Sequence, residues 1–118
     1  MDTIPASRWG GRFKQNLWSD GVSLMAFPSG KEPVALRVHI RGTKAYGIGP
    51  YLIVKVDDRL AGRTMLTQEG WTSLVFKPSL SPGNHVLSIE FNNDVFTPDR
   101  EQDRNVFLGD LEVISLKP

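Results

Sequence analysis

Apolar and polar residues alternate with a period of two along most of this chain, and the 3.6-residue period of an amphipathic helix is nearly absent. The clearest run is Val34–Arg41. Val34, Leu36, Val38 and Ile40 face one way and Arg37, His39 and Arg41 the other, as in a strand that covers a core on one side and meets water on the other. Leu52, Val54 and Val56 repeat the pattern, Asp58-Arg59 reads as a hairpin turn, and Leu60–Leu66 returns. Trp71–Lys77 is a further β-rich run. Ser81-Pro82-Gly83 is a turn signal, after which His85, Leu87, Ile89 and Phe91 share a face. In Val106–Leu116 the phase changes between Leu108 and Leu111, which predicts a β-bulge near Gly109-Asp110. With a weaker strand over Val22–Phe27, seven or eight short strands predict an all-β domain, a β-sandwich.

Length and charge narrow the function classes. A chain of 118 residues has room for one domain and one core. Residues 17–118 read as that domain, and residues 1–16, with Arg8, Arg12 and Lys14, as a solvated arm or linker. The net charge of +1 lacks the basic stripe of a general nucleic-acid binder. With no cysteine there is no disulfide framework, thiolate metal site or cysteine nucleophile. No apolar run reaches the roughly 20 residues of a membrane span. Met1–Gln15 lacks the apolar core of a signal peptide, so an exported parent protein would contain this chain as a piece.

Two segments break the strand rhythm. Gly42–Pro50 is a glycine-rich loop, and Asn92–Asn105 is longer, polar and dense in oxygen ligands. Loops longer than about 12 residues inside a domain are usually functional or disordered. Asp94, Asp99, Glu101 and Asp103 share the second loop with Asn92, Asn93 and Asn105. Calcium takes six to eight hard oxygens in flexible geometry, which such a loop can supply. Zinc wants histidine or cysteine. His39 and His85 sit alone in strand patterns. The spacing is not that of an EF-hand, and four solvated acids offset by Arg100 and Arg104 remain the plain alternative.

Ile89-Glu-Phe-Asn-Asn-Asp94, an acidic loop and Asp103-Arg-Asn-Val-Phe-Leu108 resemble the calcium-dependent xylan-binding carbohydrate-binding modules of families thirty-six and sixty. Arg41-Gly-Thr43, Gly49-Pro50, Val54-x-Val-Asp57, Trp71 and Ser81-Pro-Gly-x-His85 fall in the matching order, so the likeness runs from Trp18 to Leu116. The resemblance implies a jelly-roll sandwich and a loop calcium whose open positions accept neighbouring sugar hydroxyls. Carried over by position, Asp94 and Asp103 are the first ligand candidates, followed by Asp99, then Glu101 and Asn93. Asn105 would brace the loop or meet the sugar, and Arg104 would orient a carboxylate through a fork-like hydrogen bond. Gly109 stands where members often have aspartate, with Asp110 next, and the N-terminus lacks the paired glutamates that hold a second calcium in some members.

Sugar rings stack their C–H faces on rigid aromatic side chains. Tyr46 and Tyr51, in and just after the glycine loop, are candidate platforms, with Phe96 beside the ion; Trp9, Trp18 and Trp71 read as core or staple residues. Glycoside hydrolysis usually needs two carboxylates across a cleft, an arrangement the sequence does not show for Asp57-Asp58, which read as turn residues, or for the loop acids; no nucleophile elbow, phosphate loop or dinucleotide fingerprint is present. These readings predict a non-catalytic module binding xylan or a related polysaccharide with Ca2+, monomeric in isolation, without nucleic-acid or membrane partners. It would be tethered to a larger enzyme outside the cell or at its surface. The competing class is a sandwich interaction or assembly module in which calcium only stiffens a loop.

Overall fold

An alternating run buries its apolar face only against another sheet, and its backbone groups are satisfied only by neighbouring strands. The computed structural model, which describes residues 2–116, meets both needs with two antiparallel sheets. In chain order the strands are β1 (Asp2–Ile4), β2 (Asn16–Leu17), β3 (Gly21–Ser29), β4 (Val34–Gly42), β5 (Tyr51–Val56), β6 (Arg59–Met65), β7 (Gly70–Phe76), β8 (Gly83–Phe91), β9 (Phe96–Thr97), β10 (Gln102–Asp103) and β11 (Val106–Ser115). One sheet has the order β1-β11-β4-β7, with β2 also on β11; the other is β3-β8-β5-β6, and β9 and β10 form a separate hairpin. The predicted β-sandwich is therefore the observed one.

The core lies between the sheets. Leu36, Val38 and Ile40 of β4, Leu52 and Val54 of β5, Leu87, Ile89 and Phe91 of β8, and Met25 and Phe27 of β3 are buried in one cluster. The expected bulge is present: the β11–β4 register shifts between Leu108 and Leu111, so both residues turn inward. Asp57 and Asp58 both take positive φ, the conformation of a primed two-residue hairpin turn.

The N-terminal residues are not an arm. Asp2–Ile4 pairs with Leu111–Val113, and Trp9 is buried with its indole N–H donating to Gly109 O at 2.7 Å. The segment lacks an alternating run because it fills a short edge of β11 with two- and three-residue strands. Of the three tryptophans read as core or staple residues, Trp9 packs inside, while Trp18 and Trp71 are 61 % and 60 % exposed.

Candidate calcium and glycan site

Both irregular loops emerge at one end of the sandwich. β8 ends at Phe91 opposite Gly21 and Leu52, while β11 begins at Val106 opposite Leu17 and Gly42. The Asn92–Asn105 segment therefore leaves one sheet and enters the other, with the Gly42–Pro50 loop and the Trp18–Asp20 connection beside it. Within it, Phe96 pairs with Asp103 and Thr97 with Gln102, making a small hairpin. A 3-10 turn over Pro98–Arg100 and a left-handed Glu101 close its tip. Asp99 and Glu101 are thus exposed at the tip, whereas Asp94 and Asp103 flank its base.

Asp94 is the unusual side chain. Its Oδ1 is buried without a hydrogen-bond donor, as is Asn105 Oδ1. Its backbone N–H donates to Asp20 Oδ1 at 2.8 Å. Burial pushes the Asp94 carboxyl above its usual pKa, the charges of Asp20 and Asp103 raise it further, and the Val95 N–H and the Arg104 charge only partly oppose this. Two further acids act on one partly dry carboxylate, a field that a cation relieves.

Arg104 organises this end. It is buried, and donates through Nε to Ile48 O at 2.8 Å, through Nη2 to Ala45 O at 2.8 Å and through Nη1 to Asn93 O. Its fork holds backbone carbonyls of both loops, not the carboxylate expected of it. Thr43 is a second tie: its Oγ1 donates to Asp103 O at 2.9 Å and accepts from the Asn105 N–H at 2.8 Å. Asn93 is committed likewise, accepting the Tyr51 N–H at 2.9 Å through Oδ1 and donating through Nδ2 to Gly49 O at 3.2 Å. Both polar atoms of Asn93 are engaged in bracing the loops. At Gly49 a Cβ would stand 1.7 Å from Leu66 O, so the glycine loop can lie against the end of β6 only without a side chain there.

The aromatic candidates divide. Tyr46 and Gly47, both at positive φ, form the tip of a tight turn closed by the reciprocal Ala45–Ile48 backbone hydrogen bonds. Tyr46 is 52 % exposed, and its N–H donates to Gln102 Oε1 at 2.6 Å, fixing this tip to the acidic hairpin. Positive φ is uncommon for a bulky side chain, and such strain collects at binding sites. Phe96 is also exposed, while Tyr51 is half-buried at the start of β5. Trp18 stands exposed two residues from Asp20, its ring edge-to-face with Phe13.

Asp20 and Gln102 were missed by the sequence reading. Asp20 lies 74 positions before Asp94, and only the pairing of Gly21 with Phe91 brings the two together. Among the described residues no group of three or more histidine, aspartate or glutamate side chains is placed to hold a metal ion. Calcium also accepts amide and backbone carbonyl oxygens. The unpartnered Asn105 Oδ1 and the mutual field of Asp20, Asp94 and Asp103 make this end a fitting donor set.

A sandwich with a carboxylate-and-aromatic loop cluster at one end is the architecture of a carbohydrate-binding module. Residues 35–116 match the CBM60 family, described as a Ca-dependent, xylan-binding carbohydrate-binding module. The chain belongs to that family: it is a calcium-dependent xylan-binding module and not an enzyme. Among solved structures, a CBM36 module in complex with calcium and xylotriose is 12 % identical with a TM-score of 0.65, covering 96 % of this chain and 99 % of that one. The CBM36-1 domain of a multidomain xylanase from the hindgut metagenome of Trinervitermes trinervoides is 7 % identical with a TM-score of 0.69, covering 99 % and 98 %. A glycoside hydrolase family 43 arabinoxylan arabinofuranohydrolase from Bacillus subtilis is 13 % identical with a TM-score of 0.57; the match covers 97 % of this chain but 27 % of that one. These likenesses establish the fold. No curated protein matches.

Proposed function

We propose that Asp94, Asp103 and Asp20, completed by Asn105 Oδ1, hold the calcium, and that xylan is recognised at this loop end with Tyr46, Phe96 and Trp18 around it. A bound calcium offers open coordination positions to neighbouring sugar hydroxyls. The observation that carries the reading is Asp94 Oδ1, buried, without a donor, and in the field of two further acids. Arg104, Thr43 and Asn93 hold both loops in place beforehand, so that little chain entropy is lost on binding. Asp99 and Glu101, at the hairpin tip, stand outside this ligand set. Tyr46 is held by its backbone and free at its ring, as a stacking platform needs to be. Tethering to a larger carbohydrate-active enzyme, and with it an extracellular or cell-surface location, is supported by matches that occupy only part of long enzyme chains.

Calorimetric titration of xylotriose with calcium, then with a chelator, tests the site. Binding should vanish with the chelator, return with calcium, and be absent in Asp94→Asn and Asp103→Asn proteins that still fold. Tyr46→Ala should weaken sugar binding and leave calcium affinity unchanged. Xylotriose binding that survives both Asp94→Asn and Asp103→Asn would overturn the assignment. Calcium binding without sugar binding to any xylan oligosaccharide would return calcium to a purely structural role.

A further inference from the structure

The outer face of the sheet that contains β7, β4 and β11 carries a surface that the calcium loops do not use. Across its loop end, register places Trp71 beside Arg41 and Arg41 beside Phe107. Side chains on a strand ordinarily stand roughly perpendicular to the sheet. Trp71 does not. A Cβ built on Gly109 would stand 3.2 Å from Trp71 Cζ3 and 3.0 Å from His39 Cβ. Gly109 is on β11, so the indole reaches from β7 across β4 to the bulge, with the residue 60 % exposed. The bulge supplies the seat, with Gly109 as a residue that has no side chain, held from beneath by Trp9 through its carbonyl.

Beside this ring lies a cation. Arg41 Cζ sits 5.4 Å from the Phe107 ring centroid, and among the described residues no carboxylate is within ion-pair distance of it. The one acid turned to this face from β11, Glu112, is already engaged by Arg37 at 2.5 Å and by His39. The face therefore offers an exposed aromatic ring and, beside it, a guanidinium with no ion-pair partner among the described residues, while Asp110 next to Gly109 accepts the Ala6 N–H. Arg41 is two residues from Thr43, so the platform adjoins the loops proposed above to hold calcium.

We propose that this sheet face is a second contact surface for xylan, on which Trp71 stacks a sugar ring and Arg41 pairs with the carboxylate of a uronic acid branch. The inference rests on the calcium-loop reading only for where the chain enters; stacking and ion pairing belong to the sheet alone. It distinguishes long, acid-bearing xylan from short, neutral pieces.

Calorimetry with xylotriose, xylohexaose and a xylohexaose bearing one glucuronic acid branch, each with calcium, tests it. The branched hexamer should bind tighter than the plain one, and about 0.5 M salt should erase that advantage. Trp71→Ala should weaken both hexamers roughly three- to tenfold, the loss of one aromatic contact, with xylotriose unchanged. Gly109→Ala, which takes away the seat and keeps the ring, should reproduce the loss on the hexamers. Arg41→Gln should remove only the preference for the branched ligand. Wild-type affinity of Trp71→Ala for both hexamers, or an equal loss on xylotriose, overturns the proposal, as does the absence of any preference for the branched ligand. Hexamer binding that persists in Asp94→Asn but falls in Trp71→Ala would reject the calcium loop and keep the sheet face.

Discussion

His85 donates from both ring nitrogens, through Nδ1 to Asp57 Oδ2 at 2.6 Å and through Nε2 to Ser81 O at 2.8 Å, and a carbonyl can only accept. The hydrogen bond to Asp57 raises the pKa of the ring and so favours the imidazolium, and burial opposes this. Asp57 is lowered, by His85 first and then by the Val86 N–H. The stabilisation from His85 is complete below its unfolded value, about 6.5, and is lost as pH rises through its raised folded pKa. That from Asp57 is complete above about 3.9 and is lost as pH falls through its lowered folded pKa. The contribution of the His85–Asp57 pair to thermal stability should therefore be level between about pH 4 and 6.5 and decline above it, and His85→Gln should flatten that alkaline decline. A profile identical to wild type would exclude the ion pair. On the outer sheet face Glu112 is held at about 2, by Arg37 first and then by His39, so it stays a carboxylate throughout this range. His85 was legible as an inward residue of β8, but its pairing with Asp57 was not, because that contact joins two separate turns. Arg104 was legible as part of a motif and misread in role: an arginine in an acidic loop suggests a carboxylate partner, yet it serves three carbonyls. Arg104→Met should take the donor from Asn93 O, at about 1–3 kcal/mol, and the second donor from Ala45 O and Ile48 O, lowering the melting temperature and weakening xylotriose binding.

At the scale of elements, the alternating runs became strands because period two leaves no other way to bury one face. β4, β5 and β8 were readable nearly residue by residue, and so was the bulge in β11, because phase changes show in a sequence. β1 and β2 were invisible, because two or three residues carry no period; pairing with β11 alone makes them strands. The consequence is measurable at Trp9. Its indole is 2 % exposed and bonded to Gly109 O, so Trp9→Ala should cost about 3–5 kcal/mol in urea unfolding. An unaltered midpoint would return residues 1–16 to the status of an arm. The acidic hairpin differs in kind. Its two-residue strands are tied to the body through Arg104, Thr43 and Gln102 rather than by a core, so its amide hydrogens should exchange faster than those of β4.

Across the whole molecule, calcium and folding are linked. The metal-free protein keeps a partly buried carboxylate against two like charges, so calcium should raise the unfolding free energy, by about 2.7 kcal/mol at a hundredfold excess over its dissociation constant. Asp94→Asn removes the repelled charge: its metal-free form should melt no lower than metal-free wild type, while the gain on adding calcium disappears. A full calcium gain in Asp94→Asn would place the ion elsewhere. The molecule also has two unlike ends, since β5 runs from the loop end at Tyr51 to the His85–Asp57 clip at Val56, so the pH response and the calcium response should be separable by mutation. The sequence by itself determined the class of fold, the inward faces of the long strands, the bulge and the two loops that differ from them, because periodicity and turn chemistry are local. Its motif likeness also reached the family. Only the tertiary structure decided that Asp20 joins Asp94, that Asn93 and Arg104 brace the two loops, and that Trp71 is exposed and reaches across to Gly109. Those outcomes depend on which strands become neighbours, a long-range property that no short window of residues contains.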